Sequence, residues 1–311
     1  MQLFEHYILT LFNVDRGFDK TNKRNSIEYL EKRFELFESV TVPSINSQTN
    51  QNFFWLIFFD INTPDVFKKR AEETLKMSNC LPVYVQGEQE ILPFLKGKLL
   101  PKTQCLVTTN LDNDDALHKN FVGIIQSNFR DEKVYFLNIT LGYMLRHDGL
   151  LMREFLSSPF HTIVETVSDE LLTCLSVPHH YLYSLSMLGV PVYQIASEPA
   201  WLQLVHDTNV VNRLDVNAVL IWDVTKIKNF AITNLPSNFQ DIAKASMLNF
   251  VYKLIIDKKR SYKQKSKQII YTLFSFLVPA ILKVKFFWQY RNKRKVEFSK
   301  SEILKIINDM N

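Results

Sequence analysis

Along the first 130 residues, short unbroken apolar runs alternate with stretches whose apolar positions recur every three or four residues. "HYILTLF" (6–12) is apolar and flanked by polar residues, which predicts a first strand. "RNSIEYLEKRFELFESVTVPSI" (24–45) carries Ile27, Leu30, Phe34 and Phe37 at helical spacing, and Pro43 predicts its end. "FFWLIFFD" (53–60) is apolar until it closes on Asp60, the pattern of a strand buried on both faces of a parallel sheet. "TPDVFKKRAEETLKM" (63–77) opens with Thr63 as N-cap and Pro64 in the first helical position. Strands follow at "LPVYVQ" (81–86) and "TQCLVTTN" (103–110), and "DDALHKNFVGIIQSNF" (114–129) predicts a helix with acids in its first turn. This alternation predicts a doubly wound, mostly parallel α/β sheet with helices on both faces.

"KVYFLNI" and "LGYMLRH", within 133–147, predict two more strands, and a mixed stretch runs to about residue 252. Neither an internal repeat nor a low-complexity tract stands out. The chain then changes character. "DKKRSYKQKSK" (257–267) is basic, "IIYTLFSFLVPAIL" (269–282) has no charge, and "KVKFFWQYRNKRK" (283–295) is basic with aromatics. The expected division is a domain over 1–252 and a basic, helical C-terminal extension over 253–311.

Charge sharpens that division. The formal net charge of +5 conceals fourteen Lys/Arg against two acids over residues 253–300, a local excess of +12. The remainder of the chain is net acidic. A spanning helix needs ~20 apolar residues, and the apolar run has fourteen. The segment reads either as an element lying on an anionic membrane surface or as a core helix with solvated ends. A nucleic-acid patch, which "KFFWQYRNKRK" superficially offers, is the least favoured reading, so no nucleic acid is expected.

With 311 residues and 46% hydrophobic content, the chain can bury a sizeable core. Seven glycines are too few for glycine-rich nucleotide loops, and neither a dinucleotide fingerprint nor a P-loop occurs. Cys80, Cys105 and Cys174 lie far apart, without zinc spacing, as expected of reduced thiols in the cytoplasm. "MQLFEHYILTLFNVD" lacks the basic start and cleavage site of a signal peptide.

Candidate chemistry concentrates at "VTTNLDNDDAL" (107–117). If that stretch is extended, period two sends Asp112 and Asp114 to one side and Asn113 away. Two carboxylates at a strand's carboxyl end make a hard-oxygen site suited to Mg²⁺ or Mn²⁺, and ligands bind along that edge in open α/β sheets. Alternatively, the acids cap the next helix. An EF-hand is excluded, because Gly123 stands where its bidentate Glu should be. Asp60 ends an earlier strand, and Asn13, Asp15 and Arg16 follow the first, so all four belong to the same edge. His206 in "WLQLVHDTNVVNR" is a potential third metal ligand or a core histidine, and the adjacent His179 and His180 receive no metal role.

The succession "HYILTLFNV", "LFESVTVPSINSQTNQNFFWLIFFDINTP", "VTTNLDNDDAL", "FLNITLGYML", "SPFHTIVE" and "WLQLVHDTNVVNR" resembles the family of putative rhamnosyltransferases, over about residues 5–215. These are bacterial glycosyltransferases with an expected GT-A nucleotide-sugar fold. The resemblance implies that Asp112 and Asp114 form the D-x-D that holds a divalent cation on the donor's pyrophosphate. It also implies that Asp60 borders the nucleoside pocket and that His206 is a late metal ligand. The nucleotide-sugar site would then comprise Asn13, Asp15, Arg16, Asp60, Asp112 and Asn113. An inverting enzyme needs a carboxylate base for the acceptor hydroxyl, for which Glu165 and Asp169 are candidates. Arg16, Arg24 and Arg33 either meet phosphate or decorate the surface.

The expected function is transfer of a sugar, with rhamnose a candidate, from a nucleotide-sugar donor to a glycan or lipid-linked acceptor. The expected location is the cytoplasm, including the inner face of the plasma membrane. A metal-dependent phosphohydrolase and a non-catalytic membrane-associated module are the rival readings.

Overall fold

A computed structural model describes residues 4–16, 23–146, 149–205, 219–221, 223–235, 261–274, 277–291 and 297–310, with residues 241, 242, 244, 248 and 256. Its centre is the expected sheet. Strands β1 (Phe4–Leu11), β2 (Phe54–Asp60), β3 (Cys80–Val85) and β4 (Cys105–Asn110) are joined by β6 (Val134–Ile139), β9 (Thr162–Thr166) and β10 (Val192–Ile195). The order is β10-β6-β9-β4-β1-β2-β3. Every neighbouring pair is parallel except those made by β9, which runs antiparallel to both β4 and β6.

Each strand feeds two cores, because successive side chains leave opposite faces. Trp55, Ile57 and Phe59 of β2 enter one cluster and Leu56 and Phe58 the other. Against the first face lie α1 (Ile27–Leu36), α2 (Val42–Asn46), α3 (Asp65–Thr74) and α5 (Phe121–Ser127). Against the second lie α4 (Ile91–Lys98), α6 (Leu182–Met187) and the last helix, α9 (Lys300–Met310). The doubly wound α/β expectation is therefore met.

Pro43 does not end the first helix, contrary to the sequence expectation. A wide π-helical turn, Phe37–Thr41, carries α1 into α2, and Pro43 lies in the first turn of α2. A proline there has no N–H to offer the Ser39 carbonyl four residues earlier. The Ser39 carbonyl accepts instead from the Thr233 backbone N–H at 3.0 Å, so the interruption is hydrogen-bonded.

A second, five-stranded sheet includes the strand expected at "LGYMLRH", but the rest of it has no clear signature in the sequence. It is built from β5 (Ala116–Leu117), β7 (Leu141–Arg146), β8 (Gly149–Glu154), β11 (Trp201–Leu204) and β12 (Val219–Ile221), in the order β12-β8-β7-β11-β5. Two of its strands are only two and three residues long, too short for periodicity to register. Its core takes Val278, Leu282 and Phe286 from α8 (Val278–Arg291), which follows α7 (Tyr262–Leu273).

The last helix packs on the central sheet. Ile303 and Ile307 of α9 are buried in the same cluster as Leu9 and Phe58. Ser299 and Glu302 start that helix reciprocally: the Ser299 N–H donates to Glu302 Oε2 at 2.7 Å and the Glu302 N–H to Ser299 Oγ at 3.2 Å. The uncharged run 269–282 is divided between α7 and α8.

β7 and β11 approach so closely that only glycine fits between them. Trp201 pairs with Gly142 in register, and a Cβ built on Gly142 would lie 1.9 Å from the indole. The indole is fixed by its N–H to the Ile139 carbonyl (2.8 Å) and by stacking on Phe160. Gly142→Ala is expected to destabilise the protein by about 1–3 kcal/mol through overpacking, measured as a lower urea midpoint.

Candidate active site

β1, β2 and β4 end side by side, so the residues that follow them meet at one edge. In register, Leu9 lies opposite Asn110 and Leu11 opposite Phe58. Beyond β1, Asn13 is buried and knits three segments together. Its amide donates to Asn25 Oδ1 (2.7 Å) and Thr63 Oγ1 (3.0 Å), and its carbonyl accepts from the Asp60 N–H (3.1 Å). Asp60 itself is buried and meets the Arg24 guanidinium at 3.2 Å; Arg24 also reaches Asp15 at 3.1 Å. Arg16 is exposed and pairs with Glu88 at 2.7 Å.

The acidic stretch is a turn, and each of its residues has a separate fate. Asp112 is exposed. Asn113 is buried, donates to the Phe12 carbonyl at 2.9 Å and accepts from Arg33. Asp114 pairs with Arg33 Nη1 at 2.8 Å. Asp115 is buried and accepts from the Leu204 N–H at 2.9 Å. Period two does not describe this stretch, because the chain turns instead of extending. The capping reading also fails: α5 begins at Phe121, its N-cap position is Asn120, and its first turn holds no acid.

Electrostatics mark the turn as short of positive charge. Desolvation within the turn, followed by the Asp114 charge, raises Asp112 above the ordinary carboxylate range, while Arg33 and Arg16 oppose that shift. Burial and the charges of Asp114 and Asp112 raise Asp115 well above the carboxylate range. Like charges without enough counter-charge resist ionisation.

The two candidate bases are elsewhere. Glu165 pairs in register with Leu106, near the amino end of β4, so about 14 Å of strand separates it from Asn110. It is fully buried, bonded to the Leu172 N–H and to Lys300 Nζ at 2.5 Å. Burial pushes it up to about 7 against the pull of Lys300. Asp169 is exposed beyond β9, where Val167 bonds to Gln104 just before β4, again at the amino edge. β9 runs against its neighbours, so its end lies far from theirs, and neither residue joins the acidic turn. His206 lies outside the described residues. A cavity of about 1350 Å³ along β10, with Arg130, Tyr193 and Glu297 in its wall, includes none of Asn13, Asp60 or residues 112–115.

Arg24 and Arg33 are the residues that the sequence reading left undecided and the structure brings in. Arg33 is three residues after Leu30 and four before Phe37, both fully buried. An arginine within an apolar helical stripe was the available signal.

Two outcomes follow. Glu165→Ala should cost about 1–3 kcal/mol in urea unfolding, because the buried Leu172 N–H loses its acceptor, yet leave nucleotide affinity unchanged in calorimetry. The Asp112 carboxyl, followed by carbon NMR, should titrate with a midpoint above the ordinary carboxylate range. Asp114→Asn should lower that midpoint towards the ordinary value, since it removes a like charge and releases Arg33.

No curated protein matches the sequence. Among solved structures, Staphylococcus aureus TarS 1–349 in complex with UDP is similar at 12% identity and a TM-score of 0.38, over 91% of this chain and 82% of that one. A Desulfovibrio desulfuricans protein titled a putative nucleotide-diphospho-sugar transferase is similar at 9% identity and a TM-score of 0.34, over 67% and 84%. Likenesses this remote bear on neither mechanism nor substrate. The family model described as "Putative rhamnosyl transferase" matches residues 19–218. Its match spans most of the 311 residues, and the chain, with its mixed α/β fold, belongs to that family.

Proposed function

We propose that this chain transfers a sugar, with rhamnose the first candidate, from a nucleotide-sugar donor to a glycan or lipid-linked acceptor. The observation that carries this reading is the convergence of Asn13, Asp60 and the Asp112–Asp115 turn at the carboxyl edge of three parallel strands. That edge is where open α/β sheets bind ligands.

Asp112 and Asp114 are the residues that would hold Mn²⁺ or Mg²⁺. Among the described residues no three His, Cys, Asp or Glu side chains converge as a cage. Such cations are commonly held by one or two carboxylates together with substrate phosphates, so this donor set fits. A bound cation would stabilise the diphosphate that leaves as the anomeric C–O bond breaks. Asp60, Asn13 and Thr63 form a hydrogen-bonded wall beside the turn, suited to the nucleoside. Arg33 holds Asn113 and Asp114 in place, leaving Asp112 exposed. Glu165 and Asp169 are too remote to take the acceptor's proton.

A nucleotide-sugar panel titrated by calorimetry, with and without Mn²⁺, tests the reading. Binding of at least one donor should strengthen with the cation. Asp112→Asn should lose about tenfold or more of that affinity, at least ~1.4 kcal/mol, with the melting temperature unchanged. Parent protein that binds no donor, or Asp112→Asn that binds like the parent, would overturn it.

A further inference from the structure

α7 and α8 present apolar residues to solvent on a scale that the core does not require. Ile270 and Leu273 lie on α7 with Phe274 just beyond its end; Leu277 precedes α8, and Ile281 and Val284 lie on it. Each is at least 45% exposed. α8 buries Val278, Leu282 and Phe286 against the second sheet, while Ile281 and Val284 lie outside that stripe and are exposed beside Lys283. A surface helix normally has one apolar stripe and one polar face, whereas α8 also carries apolar residues outside its buried stripe. Contiguous exposed apolar surface of this kind marks an interaction site.

Charge identifies the occupant. The exposed stretch lies between two basic blocks, "DKKRSYKQKSK" before it and "KVKFFWQYRNKRK" after it. Residues 253–300 hold fourteen Lys/Arg against two acids, in a chain whose remainder is net acidic. A protein partner would need an acidic rim around an apolar centre, and a second copy of this segment would set basic blocks against each other. An anionic bilayer supplies acidic headgroups over apolar tails across the whole face. Among the described residues no helix is long and apolar enough to cross a membrane, and the uncharged run of fourteen residues is short of the ~20 that a spanning helix needs, a length that suits interfacial contact.

We propose that the α7–α8 face docks the protein on an anionic membrane surface, with Ile281 and Val284 entering the headgroup–acyl boundary and exposed Lys283 meeting lipid phosphates. This does not depend on the glycosyltransferase reading, since it rests on different residues. Basic residues near such a surface contribute about 1 kcal/mol each and are screened by salt.

The test uses the full chain and vesicles of pure phosphatidylcholine or phosphatidylcholine with phosphatidylglycerol. The parent should sediment with the anionic vesicles and at least tenfold less with the neutral ones, and high salt should release it. Ile281→Asp with Val284→Asp should lose vesicle binding at an unchanged melting temperature and unchanged donor affinity. If that variant misfolds, Ile281→Ser with Val284→Ser should still weaken binding severalfold. Equal binding to both vesicle types, no binding to either, or substituted proteins that bind like the parent would each overturn the proposal. So would a dimer of the parent that the substitutions dissolve, since the face would then be occupied by a second copy.

Discussion

The chain passes from its first sheet to its second within Leu111–Asp115, and it must carry three carboxylates through that crossing. The site depends on how those charges are held. Arg33 takes Asn113 and Asp114, the Leu204 backbone takes Asp115, and the Phe12 carbonyl takes the Asn113 amide. One partner comes from a helix on the first sheet, one from a strand of the second, and one from the end of β1. The same contacts therefore fix the turn and fasten the two sheets together. Removing a guanidinium from such a partly buried group leaves charge uncompensated, which is costlier than never having placed it there.

Arg33 can do this because α1 is itself held firmly. Phe34 lies 4.6 Å from Phe12 and 5.5 Å from Phe67, ring centroid to centroid, and Phe12 lies 4.7 Å from Phe59. Full burial of such a ring contributes about 1.5–3 kcal/mol, so the aromatic cluster anchors the helix beside the acidic turn. Packing and site chemistry meet at adjacent residues, 33 and 34.

Much of the first sheet was legible because its strands are buried on both faces and read as unbroken apolar runs, as Trp55–Phe59 shows. The edge chemistry followed from which residues close those runs. What escaped detection has physical reasons. β9 runs antiparallel, a direction no local pattern encodes, and that misplaced Glu165 and Asp169. The turn at 112–115 delays α5 until Phe121, because side-chain bonds to Arg33 and Leu204 come from residues 81 and 89 positions away. β5 and β12 are too short to show a period. Pro43 looked like a stop because proline removes a helical hydrogen bond, and no local pattern shows that Thr233, 194 positions away, supplies the Ser39 carbonyl with a donor instead.

The last helix has a consequence for the order in which the molecule is made. α9 closes the second face of the central sheet with Ile303 and Ile307, while Lys300 supplies the only cation that touches fully buried Glu165 among the described residues. During synthesis β1 to β10 emerge long before residue 300 exists. Until then, Leu9 and Phe58 lack part of their covering, and Glu165 has no ammonium group beside it. The nascent chain must therefore wait, incompletely sealed, for its final turns, and aggregation or chaperone capture competes during that interval. Translation speed over the basic C-terminal segment thus becomes a determinant of yield for a protein whose site was assembled, in sequence, almost two hundred residues earlier.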